Sequence, residues 1–444
     1  MKFCITTLGC KVNQYESQAM ENILCERGHR AVALGESCDV CIINTCAVTA
    51  ESERKSRQAV RRMKKLEPNA MIAVCGCYSQ LNTDAVRKLN VDIIGGVGDR
   101  LGFVANVDRL KQGDRYSASC VQKQGDRYTA LSTHNFEDLP PGNTANRTRA
   151  LLKIQDGCNN FCTYCIVPYI RGRSVSVPLE RIADYAVQLE EQGYKEIVVT
   201  GIEIASYGKD LMKQCTCPPA SLLTATKAIS EAAPNARIRL GSLSPSIMAD
   251  EFCRELSKIP NLCNHFHISL QSGCDETLKR MGRKYSTKQV QKSIDLIRKN
   301  FGKNDESCAI TADLIVGFPG ETEDEFIKTL GFIEKAGFSD MHIFPYSIRP
   351  GTKAVLLPEQ IENSIKKERA RRAAAVANEM ADDFRKNQIG KTLTVLFEQE
   401  KNGISKGHSS NYLEVAVKEK VKQNSIKKVK ILSNKNSILT GEIV

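Results

Sequence analysis

Six times in its central half the chain runs through a short apolar stretch, ends it on glycine or polar residues, and turns helical. The stretches are "LLKIQDGC", "EIVVTGIEI", "ARIRLGSLSP", "HFHISLQSG", "ITADLIVGFPG" and "MHIFPYSIRPGT". Near-continuous apolar runs separated by helical patterns point to parallel strands covered by crossover helices. Six such units predict a full or partial (β/α) barrel, whose chemistry sits at the carboxyl ends of its strands. The residues falling at those ends are Gly201, Glu203, Ser242, Gln271, Ser272, Asp313, Gly317, Arg349 and Thr352.

A shorter βα series precedes the repeat. Strands are expected at Lys2–Leu8, Asp39–Asn44, Met71–Cys75 and Val91–Gly95, and helices at Tyr15–Arg27, Ser52–Leu66 and Thr83–Leu89. That rhythm predicts an open parallel α/β domain. A helix at Ile361–Gln388 leads to short alternating strands from Lys391 onward, consistent with a compact, OB-like β-barrel. The expected division is 1–110 for the N-terminal domain, 111–147 for a polar linker, 148–378 for the barrel and 379–444 for the tail module. No apolar run approaches the roughly 18 residues of a membrane-spanning helix. The first residues lack the features of a secretory signal, so a cytoplasmic protein without a membrane partner is expected.

The loop "DGCNNFCTYCIVP" places Cys158, Cys162 and Cys165 within eight residues. A bacterial ferredoxin run would add a fourth cysteine just before its proline, but Ile166 and Val167 stand there. Three thiolates can hold three irons of a [4Fe–4S] cube and leave the fourth open to a substrate or cofactor. A zinc knuckle would need a fourth ligand, and the nearest histidines are His134 and His265. The C-x3-C-x2-C spacing at the end of the first barrel strand is similar to that of radical S-adenosylmethionine (SAM) enzymes, which seat SAM on the open iron.

Three further cysteines each follow an expected strand of the first domain: Cys10 in "TLGCKVNQYES", Cys46 in "INTCAVT" and Cys77 in "VCGCYSQ". Loops after neighbouring parallel strands converge, so these thiols can meet and hold a second cluster. Cys75 competes with Cys77 for the third position. Cys38 and Cys41 form a C-x-x-C, but Cys41 falls within an apolar strand run. Cys215 and Cys217 read as surface thiols, and Cys4, Cys25, Cys120, Cys253, Cys263, Cys274 and Cys308 as small buried hydrophobes. His265 and His267 alternate on a strand and read as core.

With "TLGCKVNQYES", "NTCAVT", "GCYSQ" and the three-cysteine loop, the chain resembles the methylthiotransferase family. The resemblance implies an auxiliary [4Fe–4S] cluster on Cys10, Cys46 and Cys77, and a second cluster with SAM on Cys158, Cys162 and Cys165. It also implies SAM contacts from Glu203, Ser242, Gln271 and Asp313, and a C-terminal TRAM domain that binds RNA. The implied partners are tRNA and two external donors, of electrons and of sulfur. From Arg385 to Val444 there are 12 Lys+Arg against 5 Asp+Glu, a basic tail that fits a polyanionic partner. "GCKVNQYES" is similar to the branch of the family acting on threonylcarbamoyladenosine in tRNA. The alternatives are isopentenyladenosine in tRNA, or a non-catalytic iron–sulfur RNA-binding protein. A carboxylate-bearing substrate would suit a cavity rimmed by Lys11, Arg349 and Lys353.

Overall fold

The computed structural model describes residues 1–110, 137–142, 148–211, 219–302 and 306–444. Most of the expected linker lies outside these residues, and so do Cys120, Cys215 and Cys217.

The first domain is a five-stranded sheet of β1 (Lys2–Thr7), β2 (Arg30–Ala31), β3 (Val40–Thr45), β4 (Met71–Gly76) and β5 (Ile93–Ile94). Its order is β2-β1-β3-β4-β5 and every pairing is parallel. Helices α1 (Lys11–Glu26) and α5 (Arg100–Leu110) cover one face, packing Tyr15, Met20 and Phe103 on Phe3 and Ile42. On the other face, α2 (Ala50–Leu66), α3 (Cys77–Leu81) and α4 (Thr83–Arg87) cover Ile43 and Val74 with Val60, Met63, Tyr78 and Val86. The open parallel domain expected from sequence is present. Helix α1 begins at Lys11 rather than Tyr15, because its first turns bury the polar residues Asn13 and Glu16 and so blur the apolar period.

In the second body, β6 (Arg149–Lys153) is followed by a short antiparallel pair, β7 (Gln155–Asp156) and β8 (Val175–Ser176), with α6 (Val167–Arg171) between them. Then come α7 (Leu179–Glu191), β9 (Glu196–Thr200), α8 (Leu222–Ala232), β10 (Arg237–Leu240), β11 (Ser242–Leu243) and α9 (Asp250–Leu256). The series ends with β12 (His265–Gln271), α10 (Asp275–Arg280), α11 (Thr287–Phe301), β13 (Ala309–Val316), α12 (Glu323–Ala336), β14 (Asp340–Pro345) and α13 (Asn363–Lys386). Strands β6, β9 and β10 form one parallel sheet and β11 to β14 another. The two are one curved wall, because β11 continues β10 past a break at Gly241. This is the partial barrel that the six repeats predict. Capping boxes at Ser221, Ser286 and Thr322 set where three of its helices begin.

The tail closes into a barrel of β15 (Thr392–Lys401), β16 (Ile404–Ser409), β17 (Glu414–Val417), β18 (Ser425–Lys435) and β19 (Ile438–Ile443) around Leu393, Val395, Phe397, Val429, Ile431 and Leu439. Asn402 and Gly403, both at positive φ, make the two-residue turn joining β15 to β16. The module docks on β10. Arg237 donates to the carbonyls of Thr394 (3.2 Å) and His408 (2.8 Å), and Arg239 to those of Ser410 (2.9 Å) and Ser409 (3.2 Å). Buried Glu196 pairs with both guanidiniums. Burial alone would raise its pKa, but Arg239 and Arg237 hold it well below the usual carboxylate range. Tyr412 lies between the rings of His265 and His408 at 5.0 and 5.1 Å, with Arg239 4.7 Å from its centroid. Among the described residues, no helix is long and apolar enough to cross a membrane.

Candidate functional site

Strands β1, β3 and β4 are adjacent, parallel and in register, with Thr7 opposite Asn44 and Thr45 opposite Gly76. Their carboxyl ends therefore deliver Cys10, Cys46 and Cys77 to one edge of the sheet. Two glycines make the approach possible. Gly9 has φ 103, and a Cβ there would lie 2.8 Å from the Cβ of Cys46 and 2.9 Å from its sulfur. Gly76 has φ 100, and a Cβ there would strike the Thr45 carbonyl. Cys46 and Cys77 are buried while Cys10 is exposed, so the group opens on one side. Burial pushes the Cys77 thiol up to about 11 despite the nearby Arg171, and it raises Cys46 as well. Cys75 points elsewhere: it is fully buried on the α1 face of the sheet, with Phe103 and Ala73.

Asn13, one turn into α1, ties these loops together. Its amide donates to the carbonyls of Leu8 (2.8 Å) and Thr45 (3.0 Å), while Asn44 donates to its backbone carbonyl (3.0 Å). The Asn13 side-chain oxygen accepts from Arg171 (2.7 Å) and lies 4.0 Å from the Cys77 sulfur. Arg171 is the last residue of α6, the helix that follows Cys165.

The second cysteine group occupies the loop between β7 and α6. Cys158 and Cys162 are buried and Cys165 is half-buried. Gly157, at φ 67, passes against the Arg173 backbone where a Cβ would collide. The Asn160 N–H approaches the Cys158 sulfur at 3.4 Å, and Arg283 donates to the Cys162 sulfur at 3.3 Å. Burial pushes Cys165 up to about 12, with a backbone N–H from Val167 opposing it and the charges of Cys162 and Cys158 adding to it. The Cys162 sulfur acts on both Cys158 and Cys165, as a neighbour sharing their pocket does.

A buried ionic network joins the two groups. Glu16, fully buried, accepts from Arg171 (2.8 Å), Arg100 (2.6 Å) and Lys153 (3.3 Å). Arg171 also donates to both oxygens of Asp156 (3.0 and 2.9 Å), and Lys153 to one of them (3.0 Å). Burial alone would raise Glu16, but Arg100, Arg171 and Lys153 hold it well below the usual carboxylate range. Three cations against two carboxylates leave one positive charge in excess beside the thiols, which favours anionic thiolates there. Apolar packing accompanies it: Ile166, Tyr169 and Ile170 of the α6 segment join Cys77 and Tyr78 of α3 in one cluster.

The other expected contacts line the neighbouring strand ends. Glu203 accepts from Asn160 (3.2 Å), and its backbone N–H donates to Gln155 (2.8 Å). The second Glu203 carboxylate oxygen is buried without a partner among the described residues, and burial raises its pKa. An unpaired carboxylate oxygen beside three thiols suits a cationic cofactor such as SAM, so these residues fit that group. Ser242 is exposed and pairs in register with His267. Gln271 ends β12 at φ 69, a left-handed conformation unusual for glutamine. Asp313 lies 3.2 Å from His267 Nε2, and His267 Nδ1 bonds to Thr311 at 2.8 Å.

Some expectations need correction. His267 is not a core residue but a half-buried partner of Asp313. Arg349 does not rim a cavity: it is 3% exposed and paired with Glu53 of α2. Cys25 is exposed on α1 rather than buried. Sequence reasoning also missed Asn13, Glu16, Lys153, Arg171 and Arg283. For Asn13 and Glu16 a signal existed, since both lie in "GCKVNQYES" and fall on one helix face at i and i+3.

Comparison with known proteins agrees with this arrangement. The description "Radical SAM superfamily" matches residues 152–333, and "Uncharacterized protein family UPF0004" matches residues 2–96. The threonylcarbamoyladenosine tRNA methylthiotransferase MtaB of Bacillus subtilis is 37% identical over 93% of this chain and 89% of its own. The protein of that name from Thermotoga maritima is 36% identical over 95% and 92%. A tRNA-2-methylthio-N(6)-dimethylallyladenosine synthase from Thermoanaerobacter is 33% identical over 99% and 92%. Among solved structures, the radical SAM methyltransferase TsrM of Kitasatospora setae, with cobalamin and a [4Fe–4S] cluster bound, shares the fold at TM-score 0.57 and 13% identity, covering 91% of this chain and 80% of that one.

Proposed function

The chain belongs to the methylthiotransferase family of radical SAM enzymes, and from that premise we propose that it adds a methylthio group to C2 of N6-threonylcarbamoyladenosine beside the anticodon of tRNA. It works with SAM and two [4Fe–4S] clusters. In this reading Cys158, Cys162 and Cys165 hold the cluster that seats SAM, and Cys10, Cys46 and Cys77 hold the auxiliary one. Together the cofactors supply radical hydrogen abstraction and methyl transfer, chemistry that no side chain can provide. External donors supply electrons and sulfur, and the enzyme acts in the cytoplasm with its tRNA.

The observation that carries the proposal is the Arg171 bridge, one guanidinium held at once by Asn13 of one cysteine group and by Asp156 beside the other. A two-centre reaction needs both centres fixed against a common substrate, and a buried bidentate guanidinium fixes distance and angle together. The buried Glu203 oxygen without a partner among the described residues supports a role in taking the cofactor's positive charge. Lys11, beside Cys10, remains open to solvent, yet the surrounding protein lowers its pKa, and Arg239 and Arg149 lower it further. Lys11, exposed beside Cys10, suits a carboxylate ligand, which threonylcarbamoyladenosine has and isopentenyladenosine lacks. Lys11 thus keeps the role expected of it, whereas Arg349, paired with Glu53, does not.

Mass spectrometry of tRNA nucleosides from a deletion strain tests the assignment. The methylthio form of threonylcarbamoyladenosine should vanish while its unmethylthiolated precursor accumulates. Loss of the isopentenyl product instead would overturn it.

A further inference from the structure

Cys4, Cys38 and Cys41 are far from both groups described above, yet they are brought together. Cys4 and Cys41 are directly paired across the parallel strands β1 and β3. Cys38 returns beside them from the turn preceding β3. The sulfurs form a near-equilateral triangle, with Cys4–Cys41 and Cys38–Cys41 at 3.5 Å and Cys38–Cys4 at 3.8 Å. All three are buried beneath α2, in the cluster containing Val60 and Met63. Cys4 lies three residues before the end of β1 at Thr7, so about 10 Å of strand separates this triangle from the carboxyl edge of the sheet.

We propose that Cys4, Cys38 and Cys41 form a third thiol site, which binds one thiophilic d10 cation of the zinc class. Thiolates around tetrahedral zinc at about 2.3 Å stand about 3.8 Å apart, close to the separations observed. A disulfide needs sulfurs at about 2.05 Å and consumes only two of them, leaving the third without a role in a triangle whose sides are nearly equal. Three scattered apolar cysteines would have no reason to place every sulfur against the other two. The charge environment favours a cation. The Glu67 carboxylate, at the end of α2, acts through its charge on both Cys4 and Cys38, and the three sulfurs leave the fourth position of a tetrahedral ion to solvent. Access exists as well, since Cys38 lies next to the exposed residues 33–37. Binding exchanges the thiol protons for the metal and releases them to solvent. The bound ion would pin the turn before β3 to the amino ends of the two strands whose far ends carry Cys10 and Cys46.

The test is a metal count on the full chain. The protein is loaded anaerobically with iron and sulfide, equilibrated with zinc chloride, desalted, and analysed by mass spectrometry for zinc and iron. About one zinc per chain should remain, with iron unchanged. Cys38→Ser, in the turn before β3, should weaken zinc binding by at least the roughly 100-fold that even loss of a ligand's hydrogen-bond partner can cost, again without loss of iron. Cys25→Ser, on the exposed face of α1, should leave zinc untouched. Failure of the unaltered protein to retain zinc would overturn the proposal. So would equal zinc in Cys38→Ser, or an intact mass revealing a disulfide among the three. Because the readout is metal content and not turnover, the result is independent of the methylthiotransferase assignment.

Discussion

Glu16 shows how much one side chain is asked to do. It neutralises Arg100 and Lys153 and fixes Arg171, all in a region closed to water. Removing one member of a buried ionic group leaves the others uncompensated, which costs about 3–5 kcal/mol. Glu16→Gln should therefore lower the thermal midpoint of the first domain markedly when followed by circular dichroism, and an unchanged midpoint would deny the network its structural role. The pH dependence follows from the same residue. Its folded-state pKa lies well below the ordinary 4.5, so below pH 4.5 the unfolded chain takes up a proton that the folded chain refuses. Stability from Glu16 is thus full above pH 4.5 and drains away as pH falls towards the folded-state value. The Gln variant should lack that acid sensitivity.

At the level of elements, the site is a set of turns that follow parallel strands, and strand geometry decides which cysteine each turn can offer. Cys75 is inside β4 and faces α1, whereas Cys77 begins α3 after the Gly76 turn. Cys77→Ala should remove roughly half of the iron from the loaded protein, because each cluster holds an equal share. Cys75→Ala should leave the iron in place while lowering stability, as expected for a buried apolar truncation; iron loss from Cys75→Ala alone would reverse the assignment. The same geometry explains what could be read in advance. The six barrel strands and the strands preceding Cys10, Cys46 and Cys77 are legible, because apolar runs of that length, set between helical patterns, bury themselves best as parallel strands. Helix α5 and strand β2 are not, since one follows a glycine-rich turn and the other has only two residues. The bridge was illegible for another reason: Arg171 finds Glu16 only through tertiary packing, across 155 positions of sequence.

At the scale of the whole molecule, the basic tail module is anchored to the barrel by Arg237, Arg239 and the ring stack around Tyr412, and a row of its lysines faces outward. Lys427, Lys428 and Lys430 of β18 are all exposed. If they meet tRNA phosphates, replacing the three with alanine should reduce the slope of log affinity against log salt by about 0.7–0.9 for each phosphate no longer neutralised. Filter binding across a salt series measures this directly. An unaltered slope would mean that the tRNA lies on another face, and the three lysines would then be ordinary solvated surface.

The long reach of the Glu16 network also imposes an order on biosynthesis. When the first domain emerges from the ribosome, Glu16 and Arg100 are already present, but Lys153, Asp156 and Arg171 have yet to be translated. Until they arrive, the nascent sheet carries a carboxylate without two of its cations and an Asn13 without its guanidinium. The edge that gathers Cys10, Cys46 and Cys77 therefore reaches its final form only after the loop with Cys158, Cys162 and Cys165 has itself been made. Any cluster seated on Cys10, Cys46 and Cys77 would therefore find its mature setting only once both loops have been made.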